Sequence, residues 1–203
     1  NFIKPGQKEN EVALELEYQM RCLGAHGPSF ETIVASGLRS SLPHGVASDK
    51  ILQIGDLIVM DFGATYRGYH SDMTRTIILG KATLKQKELY QAVLEAQQKA
   101  LNAIKVGLIC SDLDKIARSY LSQLGYDSYF GHSLGHGVGL AIHENPRVST
   151  SSNTELVSGM AITIEPGVYI PGVGGVRIED LVVVTEQGHL NLTHSTKELI
   201  ELI

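Results

Sequence analysis

An α+β fold made of two related halves is what this sequence predicts, and three observations carry the prediction. Stretches with helical apolar spacing alternate with pairs of strand-like segments along the 203 residues. Two of those strand pairs share one design, with a carboxylate on each arm. No Pro- or Ser-rich linker divides the chain, so the halves read as a weak internal repeat inside a single domain covering 1–203.

The elements follow in order. Glu9 to Leu23 has helical spacing, with acids early and Arg21 late to suit the helix dipole, and Gly24 and Gly27 end it. Ser29 to Ser36 reads as a strand, and SGLRSSLPHGVAS as a loop. Leu57 to Ala64 and His70 to Leu79 form the first strand pair, around a turn at Tyr66-Arg67-Gly68. Lys85 to Ile104 is a second amphipathic helix, stopped by Gly107. A third runs to Leu124, with Ser111 or Asp112 as its cap. The Gly- and His-rich GHSLGHGVGLAIHENP then leads into the polar loop STSSNTE. Met160 to Tyr169 and Val176 to Thr185 close the core as the second pair, around a Pro-Gly turn.

With 43% hydrophobic and 19% charged residues, the chain has material for one sizeable core. A net charge of −5 with scattered Lys and Arg argues against nucleic acid as a partner. Cys22 and Cys110 form no CxxC pair and read as buried free thiols, which fits a cytoplasmic setting. No stretch is apolar for long enough to span a bilayer, so no membrane is expected. NFIKPGQKENE has no signal-peptide core, and its start without Met predicts a segment upstream.

The chemistry lies in the strand pairs. Asp61 and Asp72 are symmetric about Tyr66-Arg67, and Glu165 and Glu179 about Gly172, so each hairpin presents two acids on one face. Strand carboxylates ordinarily end up half exposed. These sit in apolar runs (LIVMDFG, AITIEPG), where an uncompensated charge is costly, and the arrangement occurs twice. Four carboxylates and an imidazole suit two divalent cations, about 3.5–4 Å apart in two-metal hydrolytic sites. His132, His136 and His143 fall within one short stretch. The glycines at 135, 137 and 139 oppose a helix there and suggest a strand or loop closely approaching a ligand. No HExxH is present, which excludes a zincin.

The ordered set of PHG, DFGA with SDMTRT, GHSLGHGVG, HENP, ITIEPG and VRIED resembles the M24 metallopeptidases over nearly the whole chain. The resemblance implies the pita-bread fold of creatinase and the aminopeptidases: two pseudo-symmetric halves around a curved, mainly antiparallel sheet, with helices outside. It implies that Asp61 binds one metal, that His136 and Glu165 bind the other, and that Asp72 and Glu179 bridge them. Glu165 is also the implied general base, acting on a metal-bridging water or hydroxide, and His44 and His143 are implied substrate-side histidines. Manganese is the implied ion, with cobalt, zinc or iron compatible with the same donors.

His132 and the Arg177 of VRIED resemble the Xaa-Pro aminopeptidase and prolidase branch. That implies hydrolysis of the Xaa-Pro bond at the N-terminus of peptides or in dipeptides, with His132 on the substrate side. Arg177 is then a support for the bridging acids, as is Tyr169, and Arg147 a candidate for a substrate's terminal carboxylate. The resemblance also implies a homodimer, and an N-terminal creatinase-like domain that this sequence lacks. The alternatives are a methionine aminopeptidase-like enzyme, which His132 and VRIED disfavour, and a metal-free creatinase-like hydrolase or non-catalytic pita-bread binding module. All five ligand positions stand, against both of the latter.

Overall fold

The structure, a computed structural model, describes residues 2–202. Helix α1 (Glu9–Cys22) starts in a capping box, the Lys8 amide donating 2.7 Å to the Glu11 carboxylate, and ends before Gly24, whose φ of 100° lets the chain turn away. Helix α2 (Leu84–Ala103) has a Thr83–Gln86 capping box. Helix α3 (Cys110–Gln123) starts one residue before the expected Ser111 and has no side-chain cap. Its first amides donate instead to the carbonyls of Thr154 (2.9 Å) and Ser152 (3.1 Å), so the polar loop STSSNTE caps the helix through its backbone.

The strands of the first half are β1 (Gly27–Pro28), β2 (Ile33–Ser36), β3 (Leu57–Phe62), β4 (Ala64–Tyr66), β5 (Tyr69–His70) and β6 (Met73–Leu79). Those of the second are β7 (Gly135–Gly137), β8 (Glu144–Val148), β9 (Ala161–Ile164), β10 (Gly167–Ile170), β11 (Gly174–Arg177), β12 (Asp180–Thr185), β13 (Gly188–Asn191) and β14 (Glu201–Leu202). The main sheets run β14-β6-β3-β2 and β13-β12-β9-β7-β8, antiparallel except for the β14–β6 pair. Each central hairpin continues beyond its main sheet as a short ribbon, β4/β5 in one half and β10/β11 in the other. This is the pita-bread architecture that the sequence resemblance implies.

Hairpin register decides where the acids fall. In the second half Ile164 pairs with Asp180 and Gly167 with Arg177, which leaves Glu165 opposite Glu179 at the break between the two ladders. The symmetry about Gly172 holds. In the first half the turn is the two residues Arg67-Gly68, both at positive φ, rather than Tyr66-Arg67. Asp61 therefore pairs with Thr74, and Asp72 is its diagonal neighbour on the same face instead of its direct partner.

One apolar cluster packs α2 and α3 onto β9, β10, β11 and β12; a smaller one packs Val12 and Ala13 of α1 onto β2, β3 and β6. The halves are joined edge to edge. Glu179 N donates 3.1 Å to the Thr74 carbonyl, and Thr76 Oγ1 donates 2.9 Å to the Arg177 carbonyl while accepting 3.1 Å from its amide. Cys110 is buried as expected, but Cys22 is exposed, because it closes α1 on the solvent side; both are free thiols. No helix among the described residues is long and apolar enough to cross a membrane.

Behind this seam lies a buried charge network. Asp180 is fully buried and accepts from Arg75 (2.7 Å), Lys197 (2.6 Å), Gln97 (3.0 Å) and Asn191 (2.8 Å). Burial alone would raise its pKa, but the Lys197, Gln97 and Arg75 donors outweigh it and hold the carboxyl below its ordinary value. Arg75 also donates to the carbonyls of Ser195 and Thr196, which ties the chain's last segment to the sheets. Asp180→Ala strands two cations against this buried pocket. Chemical denaturation should show a loss of about 3–5 kcal/mol; a loss below about 1 kcal/mol, the scale of an exposed pair, would mean the network is not load-sharing.

Candidate metal centre

The break in each hairpin opens toward the other half, and the acids meet there. Asp72 and Glu179 are 6% and 1% exposed, far from the half-exposed surface that strand carboxylates ordinarily occupy. One donor atom each from Asp72, His136 and Glu179 lie within 4.8 Å of one another. His136 Nε2 is 3.5 Å from Asp72 Oδ2 and 3.3 Å from Glu165 Oε1. Asp61 joins from β3, its Oδ2 accepting 2.6 Å from Arg177 Nη2.

Local backbone explains why His136 reaches this point. It lies on β7, between β9 and the edge strand β8 of the second sheet, and its amide donates 3.0 Å to Thr163 Oγ1. The flanking glycines are needed, but for a different neighbour than expected. A Cβ on Gly135 would collide with the Thr163 carbonyl and one on Gly137 with the Asn145 carbonyl, so the close approach is to β9 and β8, not to a ligand. The ring Nδ1 donates 3.0 Å to the Gly137 carbonyl, which leaves the Nε2 lone pair facing the carboxylates. Burial lowers the pKa of His136, so the ring is neutral and able to ligate.

Two threonines that the sequence reading passed over orient the acids. Thr74 Oγ1 donates 2.6 Å to Glu179 Oε2 and accepts 3.0 Å from Arg177 Nε. Thr163 Oγ1 donates 3.0 Å to Glu165 Oε1. Both stand two residues from an acid, Thr74 after Asp72 and Thr163 before Glu165, and the period-2 rule that placed the acids on one face places them there too.

The remaining selected residues gather here as well. Arg177 is almost completely buried and donates to Asp61, Tyr169 Oη (2.6 Å), Thr74 and the Pro43 carbonyl (3.0 Å). Tyr169 Oη lies 3.0 Å from His132 Nε2, and His132 Nδ1 lies 2.8 Å from the Ser133 carbonyl. His132 thus faces a cavity of about 800 Å³ while bonded to the support behind the site. His44, His143 and Arg147 line the same cavity; the His143 ring centre is 4.3 Å from that of His136, and Arg147 is the cross-strand partner of His136.

Electrostatics test whether cations fit. Burial pushes Asp72 up to about 9, helped by the charges of Asp61 and Glu165. It pushes Glu165 up to about 8, against the opposing pull of Arg177, and it raises Glu179 well above the usual range. Arg177 alone does not offset four acids. Asp61 Oδ1 is buried without any hydrogen-bond partner, an expensive state for a carboxylate oxygen. A divalent cation satisfies that oxygen and removes the repulsion. The hard oxygen donors with one neutral imidazole fit a divalent metal site.

Comparison with known proteins agrees. Residues 1–186 match the model of metallopeptidase family M24. The chain is 56% identical to the Xaa-Pro dipeptidase of Pyrococcus horikoshii over 98% of its own length and 56% of that protein's. It superposes on the structure of an Xaa-Pro dipeptidase from Bacillus anthracis with a TM-score of 0.98 at 56% identity, covering 99% of this chain and 57% of that one. The X-Pro aminopeptidase of Thermotoga maritima gives 0.97 at 47% identity, over 98% and 57%. The chain spans little more than half the length of these relatives. On the match of most of its length to one family model, and on its identity to these relatives, the chain belongs to metallopeptidase family M24.

Proposed function

We propose that this chain is the catalytic domain of a two-metal exopeptidase that hydrolyses the Xaa-Pro bond at the N-terminus of peptides or in dipeptides. The observation that carries the reading is that Asp61, Asp72, His136, Glu165 and Glu179 line one cavity together with His44, His132, His143 and Arg147. Its relatives named Xaa-Pro dipeptidase and X-Pro aminopeptidase support the substrate class.

Asp61 would hold one metal, His136 and Glu165 the other, and Asp72 and Glu179 both. Manganese is the ion proposed, from the family resemblance, and the oxygen-rich donor set with one imidazole is compatible with it. When bound, the metals supply Lewis acidity that activates water and stabilises negative charge on the scissile carbonyl. The chain does the rest. Glu165, fixed at Oε1 by Thr163, accepts the proton of the attacking water and returns it to the departing imino nitrogen of proline. His44 and His143 donate hydrogen bonds to the peptide and to the oxyanion that forms. Phe30, Ile33 and Val46 give the cavity an apolar side for the pyrrolidine ring, and Arg147 offers a cation to a substrate's terminal carboxylate.

Glu165→Gln keeps the shape and loses the base, so kcat on an Xaa-Pro dipeptide should fall about 10²–10⁴-fold. Unchanged kcat would remove Glu165 from that role. Arg147→Ala should raise KM for Xaa-Pro dipeptides more than for longer Xaa-Pro peptides. Cleavage of Met-Ala peptides with Xaa-Pro peptides ignored would overturn the substrate assignment.

The raised acids also predict how metal-free protein behaves. Folded Asp72 and Glu165 keep protons that the unfolded chain has released above about pH 4–4.5, so their contribution to stability is greatest below that pH. It falls as pH climbs through the folded values of about 8 and 9. Chelated protein should therefore melt at a lower temperature at pH 8 than at pH 5.5. Added manganese should raise the melting temperature more at pH 8, and equal shifts at the two pH values would contradict the charge assignment.

A further inference from the structure

Glu9 opens α1 and does not line the cavity of the metal centre, yet it is fully buried and collects donors like a ligand-binding group. Its Oε1 accepts from the amide (2.8 Å) and hydroxyl (2.7 Å) of Ser36. Its Oε2 accepts from the amide (3.2 Å) and hydroxyl (2.6 Å) of Ser48 and from the Arg39 guanidinium. A carboxylate is costly to bury unless its lone pairs are filled, and here both oxygens are.

The donors have a pattern. Ser36 and Ser48 are the two ends of one excursion of the chain, residues 37–47, which carries Pro43 and His44. Arg39 reaches across the same excursion to the Val46 carbonyl at 2.9 Å. One carboxylate therefore closes the loop at its base. The far side is held by the second half: Gly175 N donates 2.8 Å to Ser40 Oγ, and Arg177 Nη1 donates 3.0 Å to the Pro43 carbonyl. Between these two anchors the His44 side chain is exposed and lines the cavity.

We propose that Glu9 is a positioning residue for His44: it sets the base of the 37–47 loop so that the imidazole meets the substrate. The inference rests on the reading that His44 touches the peptide. A misplacement of about 1 Å in a substrate-contacting group costs on the order of 10²-fold in rate, so a remote carboxylate acts on turnover through geometry alone. Glu9→Gln keeps the side chain's size but removes the charge that faces Arg39 and one acceptor oxygen.

A double-mutant cycle tests it, using Glu9→Gln, His44→Ala and the pair in the metal-loaded protein, with kcat/KM on an Xaa-Pro peptide, metal content and melting temperature as readouts. The expected result is a loss of about 10–100-fold for Glu9→Gln with metal content unchanged, and no further loss when His44 is already alanine. Equal losses in both backgrounds, or no loss in the first, overturn the proposal, because general damage is additive and a spectator does nothing. Should Glu9→Gln fail to fold, Ser48→Ala removes one donor from the same clamp and must show a smaller loss with the same dependence on His44. His44→Ala with full activity removes His44 from the reaction and overturns the underlying reading as well. That outcome differs visibly from a failure of Glu9 alone.

Discussion

Four carboxylates share one buried space with a single arginine, and this concentration of like charge is the constraint that the rest of the structure answers. Water does not relieve it, since Asp72 and Glu179 are almost wholly enclosed. Protonation relieves it partly: burial, with the charges of neighbouring acids, holds Asp72 up at about 9 and Glu165 at about 8. A divalent cation would relieve it, and the geometry suits one: two acids come from each half, and His136 Nε2 lies 3.5 Å from Asp72 and 3.3 Å from Glu165. The edge-to-edge seam of Thr74 with Glu179 and Thr76 with Arg177 is what brings the pairs together. Neither hairpin alone makes a site.

The helices serve this centre without entering it. Each half uses a fully buried helix carboxylate as a post for a histidine-bearing segment. In the first half Glu9 of α1 holds both ends of the His44 loop. In the second, Asp114 of α3 accepts from Leu134 N (3.1 Å) and pairs with Arg118, which donates to the carbonyls of Phe130 (2.8 Å) and His132 (2.9 Å). The loops are thereby fixed on rigid elements, as the proposed function requires of side chains placed against a substrate.

How far the sequence was legible follows from which physics each feature obeys. The acid pairs were visible because period 2 and turn symmetry are local rules, and the Glu165–Glu179 pairing came out in register. Asp61 and Asp72 came out one step off, since a turn of Arg67-Gly68 looks like Tyr66-Arg67-Gly68 until backbone φ is known. Strand β8 was hidden by Pro146, which weakens any strand signal and is tolerated here because β8 is the sheet's edge. The short β14 pairs in parallel with β6, more than a hundred residues away, and nothing local announces such a partner. Thr74 and Thr163 obeyed the visible rule but carry no charge to draw attention. The Glu9 and Asp114 posts could not be seen, because the segments they hold, at Ser36 and Ser48 and at Leu134, lie far along the chain from them.

The support behind Asp61 shows how such an arrangement acquires direction. His132 Nδ1 faces the Ser133 carbonyl, so that nitrogen carries the proton and Nε2 is left to accept. Burial, with the Arg177 charge, lowers the His132 pKa to about 4, and burial raises Tyr169 to about 12. Across the whole range between, the imidazole is neutral and the phenol is protonated. Tyr169 must then donate to His132 and accept from Arg177, and Arg177 must spend Nη2 on Asp61 Oδ2. Every link has one permitted polarity. The chain ends by filling one oxygen of Asp61 and turning the other, Oδ1, inward with no protein partner. That bare oxygen is therefore what the network produces: a carboxylate held in one orientation, with one lone-pair face reserved for a cation.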